Sequence, residues 1–196
     1  FAGNPANNGG MEMVKNFQPY NLFMSASTGW AEVFKQVYGE RFFKIERYNF
    51  SSQNLSIAHA EKLCQVSKFS EDVMRMDTAL LEGLKGQDHF IDVSDFESSA
   101  DFKKRGIGFY LEKDGKVIGA AYSSLVCSTG IEISLFVGED YRRQGVATVL
   151  SANLIRWCLE HNMDAHWDAA NPESCQLAEK LGYNPLGSYQ AYFLKG

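Results

Sequence analysis

A chain of 196 residues can hold one domain with a sizeable core, or a core domain and a small lobe. Hydrophobic residues at 45% and charged residues at 22% exclude a disordered or fibrous chain. A formal net charge of −5 argues against a nucleic-acid partner, since duplex binders present a basic face, and is compatible with a cationic amine. No apolar run reaches the ~18–20 residues of a membrane helix and no signal peptide is visible, so no membrane partner is expected; the cysteine pattern is that of a cytoplasmic protein. Cys64, Cys127, Cys158 and Cys175 have no C-x-x-C spacing and read as reduced, mostly buried thiols. His59, His89, His161 and His166 share no metal-ligand spacing and read as ordinary surface or core residues; no metal is expected.

In chain order, residues 3–10 (GNPANNGG) read as a loop or frayed terminus. The aromatic-rich stretch that follows contains a short helix, Trp30 to Val37, and a strand, Arg41 to Phe50, with Phe43, Ile45, Arg47 and Asn49 on one side. Residues 1–52 are expected to form a small N-terminal lobe, and 53–196 the main domain. Because the chain opens on Phe1 rather than Met, a piece upstream of the lobe is expected to be missing.

The main domain begins with a helix candidate, Leu55 to Phe69, built on Leu55, Ala58, Leu63 and Val66. A short strand over Asp72–Met76 follows. Asp77 caps a helix carrying Leu80, Leu81 and Leu84 and closed by Gly86. A further short helix runs to Arg105, with Ser94/Glu97 and Ser98/Asp101 as competing caps and Gly106 as the stop. Asp114-Gly115 between two apolar runs is a strong hairpin signal, joining Gly108–Glu112 to Lys116–Ser123. With Gly130–Val137 these give three consecutive antiparallel strands. A helix from Gly145 to about Glu160, a strand at Asp164–Asp168, a helix opened by Asn171-Pro172-Glu173 and closed at Gly182, and a strand at Ser188–Leu194 complete the chain.

The chemistry concentrates between Gly130 and Ala152. Ile131, Ile133 and Leu135 alternate with Glu132 and Ser134, as in a strand with one buried face. After a turn, Arg142-Arg143-Gln144-Gly145-Val146-Ala147-Thr148 runs straight into an amphipathic helix. Unpaired N–H groups in a helix's first turn attract phosphate, small residues let it approach, and the two arginines add charge. Neither G-x-x-x-x-G-K-[ST] nor G-x-G-x-x-G is present.

Arg142 to Ala147 resembles the R/Q-x-x-G-x-G/A signature of the GNAT N-acetyltransferase superfamily, and Asn171 with Leu177–Tyr183 (LAEKLGY) resembles that family's second element. The resemblance covers roughly Asp72 to Leu194. It implies an α/β (α+β) GNAT fold: a mixed, mostly antiparallel sheet flanked by helices and splayed between its fourth and fifth strands. It also implies that acetyl-CoA is held by the backbone of Leu135, Phe136 and Val137, by Arg142 through Thr148, and by Asn171 and Ser174. Tyr141–Thr148, Trp167–Asn171 and the LAEKLGY run are similar to the bacterial group related to the zwittermicin A resistance acetyltransferase. Val37-Tyr38-Gly39-Glu40 ahead of the Arg47-Tyr48 strand fits that group too.

The resemblance implies an N-acetyltransferase that moves acetyl from acetyl-CoA to the primary amine of a small, antibiotic-like or amino compound, by direct attack in a ternary complex. Glu132, on the strand's polar face, is the candidate general base, against the plainer reading of a surface carboxylate paired with a cation. Asp168 either binds the substrate's charge or caps the next turn. Relatives carry a Tyr that protonates the leaving thiolate where this chain has Ala178, so Tyr183, Tyr189, water or unassisted departure must replace it. The alternative is a GNAT-fold module that holds acyl-CoA without turnover. A monomer or homodimer is expected.

Overall fold

The computed structural model describes residues 5, 8–16, 22–24, 27–84 and 91–196. The chain divides into two units, Phe1–Asn49 with Gly187–Gly196, and Phe50–Leu186. Gly187–Gly196, placed with the main domain in the sequence reading, groups here with the N-terminal segment.

The first unit holds helix α1 (Asn8–Asn16), strand β1 (Leu22–Met24), helix α2 (Thr28–Tyr38) and strand β2 (Phe42–Ser51), which continues two residues into the second unit. Asn8–Gly10 are helical rather than a frayed loop; residues 3, 4, 6 and 7 lie outside the described residues. The Asn/Gly composition argued for a loop, but Val14 packs against Trp30 and Phe34 of α2, and tertiary packing outweighs helix propensity. At the start of β2 the buried face is the one opposite Phe43: Phe42 is buried between the rings of Phe34 (5.2 Å) and Tyr192 (5.0 Å), while Phe43 is exposed.

The second unit opens with helix α3 (Ile57–Gln65), shorter than expected. The Ser56 hydroxyl accepts the His59 N–H and starts it, and its buried residues are Ala60 and Cys64; Val66 is exposed beyond its end. Strand β3 (Met74–Arg75), helix α4 (Thr78–Leu84) and helix α5 (Ser99–Arg105) follow. Asp77 Oδ1 accepts the Leu80 N–H at 2.8 Å, as a cap should; the expected stop, Gly86, and His89 lie outside the described residues. Of the competing caps near α5, Ser98 is used, accepting the Asp101 N–H at 3.1 Å.

Strands β4 (Gly108–Lys113) and β5 (Lys116–Val126) form the expected hairpin. Asp114 and Gly115 both take positive φ, 52° and 73°, the type I′ geometry that matches strand twist. Strand β6 (Gly130–Val137) pairs antiparallel with β5, and helix α6 (Val146–Glu160) returns across that sheet. Gly119 on β5 explains how closely α6 approaches: a Cβ there would stand 2.7 Å from Val146 Cγ1 and 3.2 Å from Leu150 Cδ1. Val149, Leu150, Ala152, Leu154, Ile155 and Cys158 of α6 are all buried, the main apolar contribution of this helix. Tyr122 and Ala120 of β5 instead pack with Leu81, Phe96 and Phe102 around α4 and α5. The sheet is thus covered on both faces.

Strand β7 (Asp164–His166) pairs with β6 in parallel, and the chain then breaks at Trp167 before the two-residue strand β8 (Asp168–Ala169). The single expected strand is therefore two. Helix α7 (Pro172–Leu181) and strand β9 (Asn184–Leu194) close the chain. Within the first unit β9 pairs antiparallel with β1 through Leu22↔Leu194, and β2 lies on its other side. The sheet β3-β4-β5-β6-β7, antiparallel except at its last pair, is the GNAT arrangement expected from the sequence.

Candidate active site

The site follows from where the β6–β7 ladder stops. Three parallel pairs form, Gly130↔Asp164, Ile131↔Ala165 and Glu132↔His166, and beyond them the strands part. Ile133 to Val137 then face a cleft of about 1010 Å³ whose other walls come from Trp167–Asn171, α7 and the loop before α6. The gap expected between the fourth and fifth strands is this one, between β6 and β7.

The open edge of β6 carries usable donors. Residues of an antiparallel ladder turn their N–H and C=O alternately to one neighbour and away from it. The Gly138 N–H donates to the Ile118 carbonyl at 2.9 Å, so Phe136 also turns toward β5, while Leu135 and Val137 turn toward the cleft. Arg142 Nε reaching the Val137 carbonyl at 3.4 Å agrees with that direction. Phe136, expected to offer its N–H, lines the cleft without doing so.

At the far end, Glu139–Tyr141 form a short 3-10 turn, Arg142 is extended, and Arg143 and Gly145 take left-handed backbone at φ 58° and 91°. Nothing lies within 4 Å of where a Gly145 Cβ would stand, so its conformation, not crowding, requires glycine. The first bond of α6 runs from the Val149 N–H to the Gly145 carbonyl, leaving the N–H groups of Val146, Ala147 and Thr148 without intrahelical acceptors. The arginines are exposed. Arg142 also stands 3.7 Å from Glu139, an ion pair too exposed to fix it. Lys180 of α7 donates to Thr148 Oγ1 at 3.2 Å, bringing a third cation to the cleft that the sequence reading saw only as a helix-end charge.

Of the expected cofactor residues, Leu135, Phe136, Val137, Arg142, Arg143, Gly145, Ala147, Thr148, Asn171 and Ser174 line the cleft. Gln144 and Val146 do not. The Gln144 amide donates to the Asp140 carbonyl at 2.7 Å and stiffens the loop, and the Val146 side chain is buried. Asn171 Oδ1 accepts the Ser174 N–H at 2.8 Å, the cap expected for α7, and Trp167 Nε1 donates to Ser174 Oγ at 3.2 Å.

The expected catalytic residues separate. Asp168 lines the cleft. Tyr183 does not: it is 3% exposed, its hydroxyl donates to the Ala165 carbonyl at 2.7 Å, and burial raises its pKa well above that of a free phenol. Ala178 is fully buried and lines nothing. Glu132 sits at the apex, on a smaller depression of about 280 Å³ shared with Asp164, His166 and Cys127. There Glu132 Oε2 accepts from His166 Nδ1, a pairing that the sequence reading missed. That hydrogen bond raises the His166 pKa against the opposing effect of burial, with Glu132, Asp168 and Asp164 adding to the rise.

Among the described residues, the other two histidines make contacts with backbone carbonyls. His59 Nε2 donates to the Lys180 carbonyl at 2.8 Å, and His161 donates to the Trp157 carbonyl at 2.7 Å. All four thiols are free, with Cys64 and Cys158 buried, Cys175 half-buried and Cys127 exposed. Burial pushes the Cys158 thiol up to about 12. Among the described residues no helix is long and apolar enough to cross a membrane.

Comparison with known proteins agrees with this geometry. A family model described as GNAT acetyltransferase matches residues 1–192. The chain is 26% identical over 187 residues to an uncharacterized N-acetyltransferase, YdfB, of Bacillus subtilis (strain 168), covering 93% of this chain and 69% of that protein. It is similar to the structure of a GCN5-related N-acetyltransferase-like protein from Streptococcus suis 89/1591, with a TM-score of 0.75 and 31% identity, covering 86% of this chain and 69% of that one. A GCN5-related N-acetyltransferase from Kribbella flavida shares the fold, with a TM-score of 0.53 and 16% identity, covering 90% and 67%. This chain belongs to the GNAT acetyltransferase family.

Proposed function

We propose that the protein transfers acetyl from acetyl-CoA to the primary amine of a small molecule, by direct attack in a ternary complex. The observation that carries this is the joining of two chemistries in one cleft. A helix start with two arginines and a lysine closes one end, a strand edge with outward N–H groups forms one wall, and the Asp168 carboxylate belongs to the lining, with Glu132 on the adjoining depression. The residues fit coenzyme A. The N–H groups of Val146, Ala147 and Thr148 face the pyrophosphate, with Arg142, Arg143 and Lys180 around it. Asn171 and Ser174 flank the pantetheine arm. When bound, acetyl-CoA supplies a thioester carbonyl; the Leu135 and Val137 N–H groups are the donors for the oxyanion that develops on it.

The acceptor amine must lose a proton before it attacks. Glu132 stands where the strands part and is the carboxylate to which that work is assigned, and Asp168 on the facing wall attracts the ammonium. With Tyr183 sealed in the core and Ala178 buried, no phenol from α7 or its end protonates the leaving group. A thiolate of ordinary pKa, about 8.5, leaves near neutral pH without one. The likeness of Tyr141–Thr148 and Trp167–Asn171 to the zwittermicin A resistance group supports an antibiotic-like or amino-compound acceptor. The coenzyme-holding module without turnover is the weaker reading, because a cofactor clamp alone requires nothing at the apex.

The test is thiol release from acetyl-CoA with a panel of amines, including aminoglycosides and amino-sugar compounds. Turnover that depends on the amine and yields the N-acetyl product supports the reading. Tight acetyl-CoA binding with no product from any amine favours the binding module.

A further inference from the structure

We propose that His166 is the group that takes the acceptor's proton, and that Glu132 acts through it. This rests on the acetyl-transfer reading and divides the role given there to Glu132. The placement comes from the ladder: Glu132 and His166 are the last paired residues of β6 and β7, so they share a sheet face at the point where the strands separate. His166 Nδ1 donates to Glu132 Oε2, which fixes the tautomer and leaves Nε2 as the ring's acceptor, on a side chain that is half-exposed. Both residues line the 280 Å³ depression beside the cleft, wide enough for an amine to enter.

The charged groups acting on the imidazole are Glu132 of β6 and Asp164 of β7, which line the depression with it, and Asp168 of β8 on the neighbouring cleft wall, with the Cys127 thiol also in the depression. Every one of the carboxylates favours the imidazolium that forms when the ring accepts a proton. A lone carboxylate has a basicity far below that of an amine, whereas an imidazole backed by carboxylates lies closer to neutral pH, where proton transfer is efficient.

The step balances. The acceptor ammonium gives one proton to His166 Nε2 and becomes a neutral amine, and the imidazole becomes an imidazolium held by Glu132. The amine nitrogen attacks the thioester carbonyl, forming C–N as C–S breaks, and the sulfur leaves with the electron pair. The second proton on nitrogen passes to that thiolate, and His166 returns its proton to water.

Two measurements test this. The first follows thiol release from acetyl-CoA across pH in the parent, Glu132→Gln, His166→Gln and the double variant, with n-butylamine, benzylamine, putrescine and the panel's best amine. His166→Gln is expected to lower kcat by ~10²-fold or more and to erase the acid limb of kcat/KM, with its melting temperature near that of the parent. Glu132→Gln should move that limb to lower pH, because the imidazolium loses its partner. The double variant should be no worse than the poorer single one, as for groups acting as a unit. The second measurement is an NMR titration of the His166 ring, whose midpoint should fall in Glu132→Gln. An active parent whose His166→Gln variant keeps kcat within a few-fold and an unchanged acid limb overturns the proposal, as does an unchanged His166 midpoint in Glu132→Gln. A parent inert toward every amine overturns the acetyl-transfer reading itself, and the role of His166 with it.

Discussion

The end of the cleft at the start of α6 is built from backbone, whereas the apex between β6 and β7 is built from side chains on two strands. At the loop, Gly145 and Arg143 hold left-handed conformations, and the first three N–H groups of α6 have no intrahelical acceptor. At the apex the backbone ladder only brings Glu132 beside His166; the chemistry lies in their contact. A backbone site should fail when its conformation is blocked, and a side-chain site when one functional group is exchanged at constant shape.

Four expectations sharpen that contrast, taken from the largest effect down. Glu132→Gln keeps the shape and removes the charge, so kcat should fall by ~10²-fold or more while acetyl-CoA affinity stays near parental. Steady-state kinetics beside calorimetric titration of acetyl-CoA separate the two. The defect should shrink as pH nears the acceptor's own pKa, where solvent already supplies neutral amine. Next, Arg142→Ala, Arg143→Ala and Lys180→Ala should each weaken coenzyme A binding, more at low salt than at high salt, because the contacts are screened. Pantetheine fragments lacking phosphate should be indifferent to these changes; equal losses for both ligands would assign the cations elsewhere.

The third expectation concerns stability. Asn171→Ala removes the cap of α7 and should cost about 1 kcal/mol, read as a melting temperature lower by roughly 2–4 °C. The fourth is a pH effect at the apex. The His166 pKa is raised in the folded protein, so its pairing stabilises fully below the unfolded value of about 6.5 and fades as pH rises through the folded one. Glu132→Gln should therefore lower the melting temperature more at mildly acidic than at mildly basic pH. An equal shift at both would mean that the pair contributes nothing electrostatic.

The same contrast explains what the sequence disclosed. That a glycine-bearing loop runs from Arg142 straight into α6 is legible because it is written in adjacent residues; the left-handed backbone of Arg143 and Gly145 is not. The hairpin at Asp114-Gly115 and the cap at Asn171 were legible for that reason too. The role of His166 is not legible in sequence, because its partner lies 34 residues away and the contact exists only once β6 and β7 align. Tyr183 looked available because no local pattern reveals that its hydroxyl is spent on Ala165. In sequence Lys180 is only a helix-end charge, since the packing of α7 against the start of α6 is what carries it to Thr148. On β2 the Phe42/Phe43 choice could not be made from alternation, because both are aromatic and the contact with Tyr192 decides. Helix α1 was lost to an Asn/Gly composition that its packing on α2 overrides.

The central claim, that the cleft between β6 and β7 receives acetyl-CoA with its pyrophosphate on the α6 N-terminus, is tested most directly by thermal melting with and without the cofactor. At about a hundred times its dissociation constant, acetyl-CoA should stabilise the parent by ~2.7 kcal/mol, a rise of roughly 5–10 °C. Gly145→Val strains a residue at φ 91° and blocks the anion's approach, so it should melt somewhat lower without ligand and show no rise with it. A parent melting curve unmoved by saturating acetyl-CoA, or a Gly145→Val variant that keeps the full rise, contradicts the account.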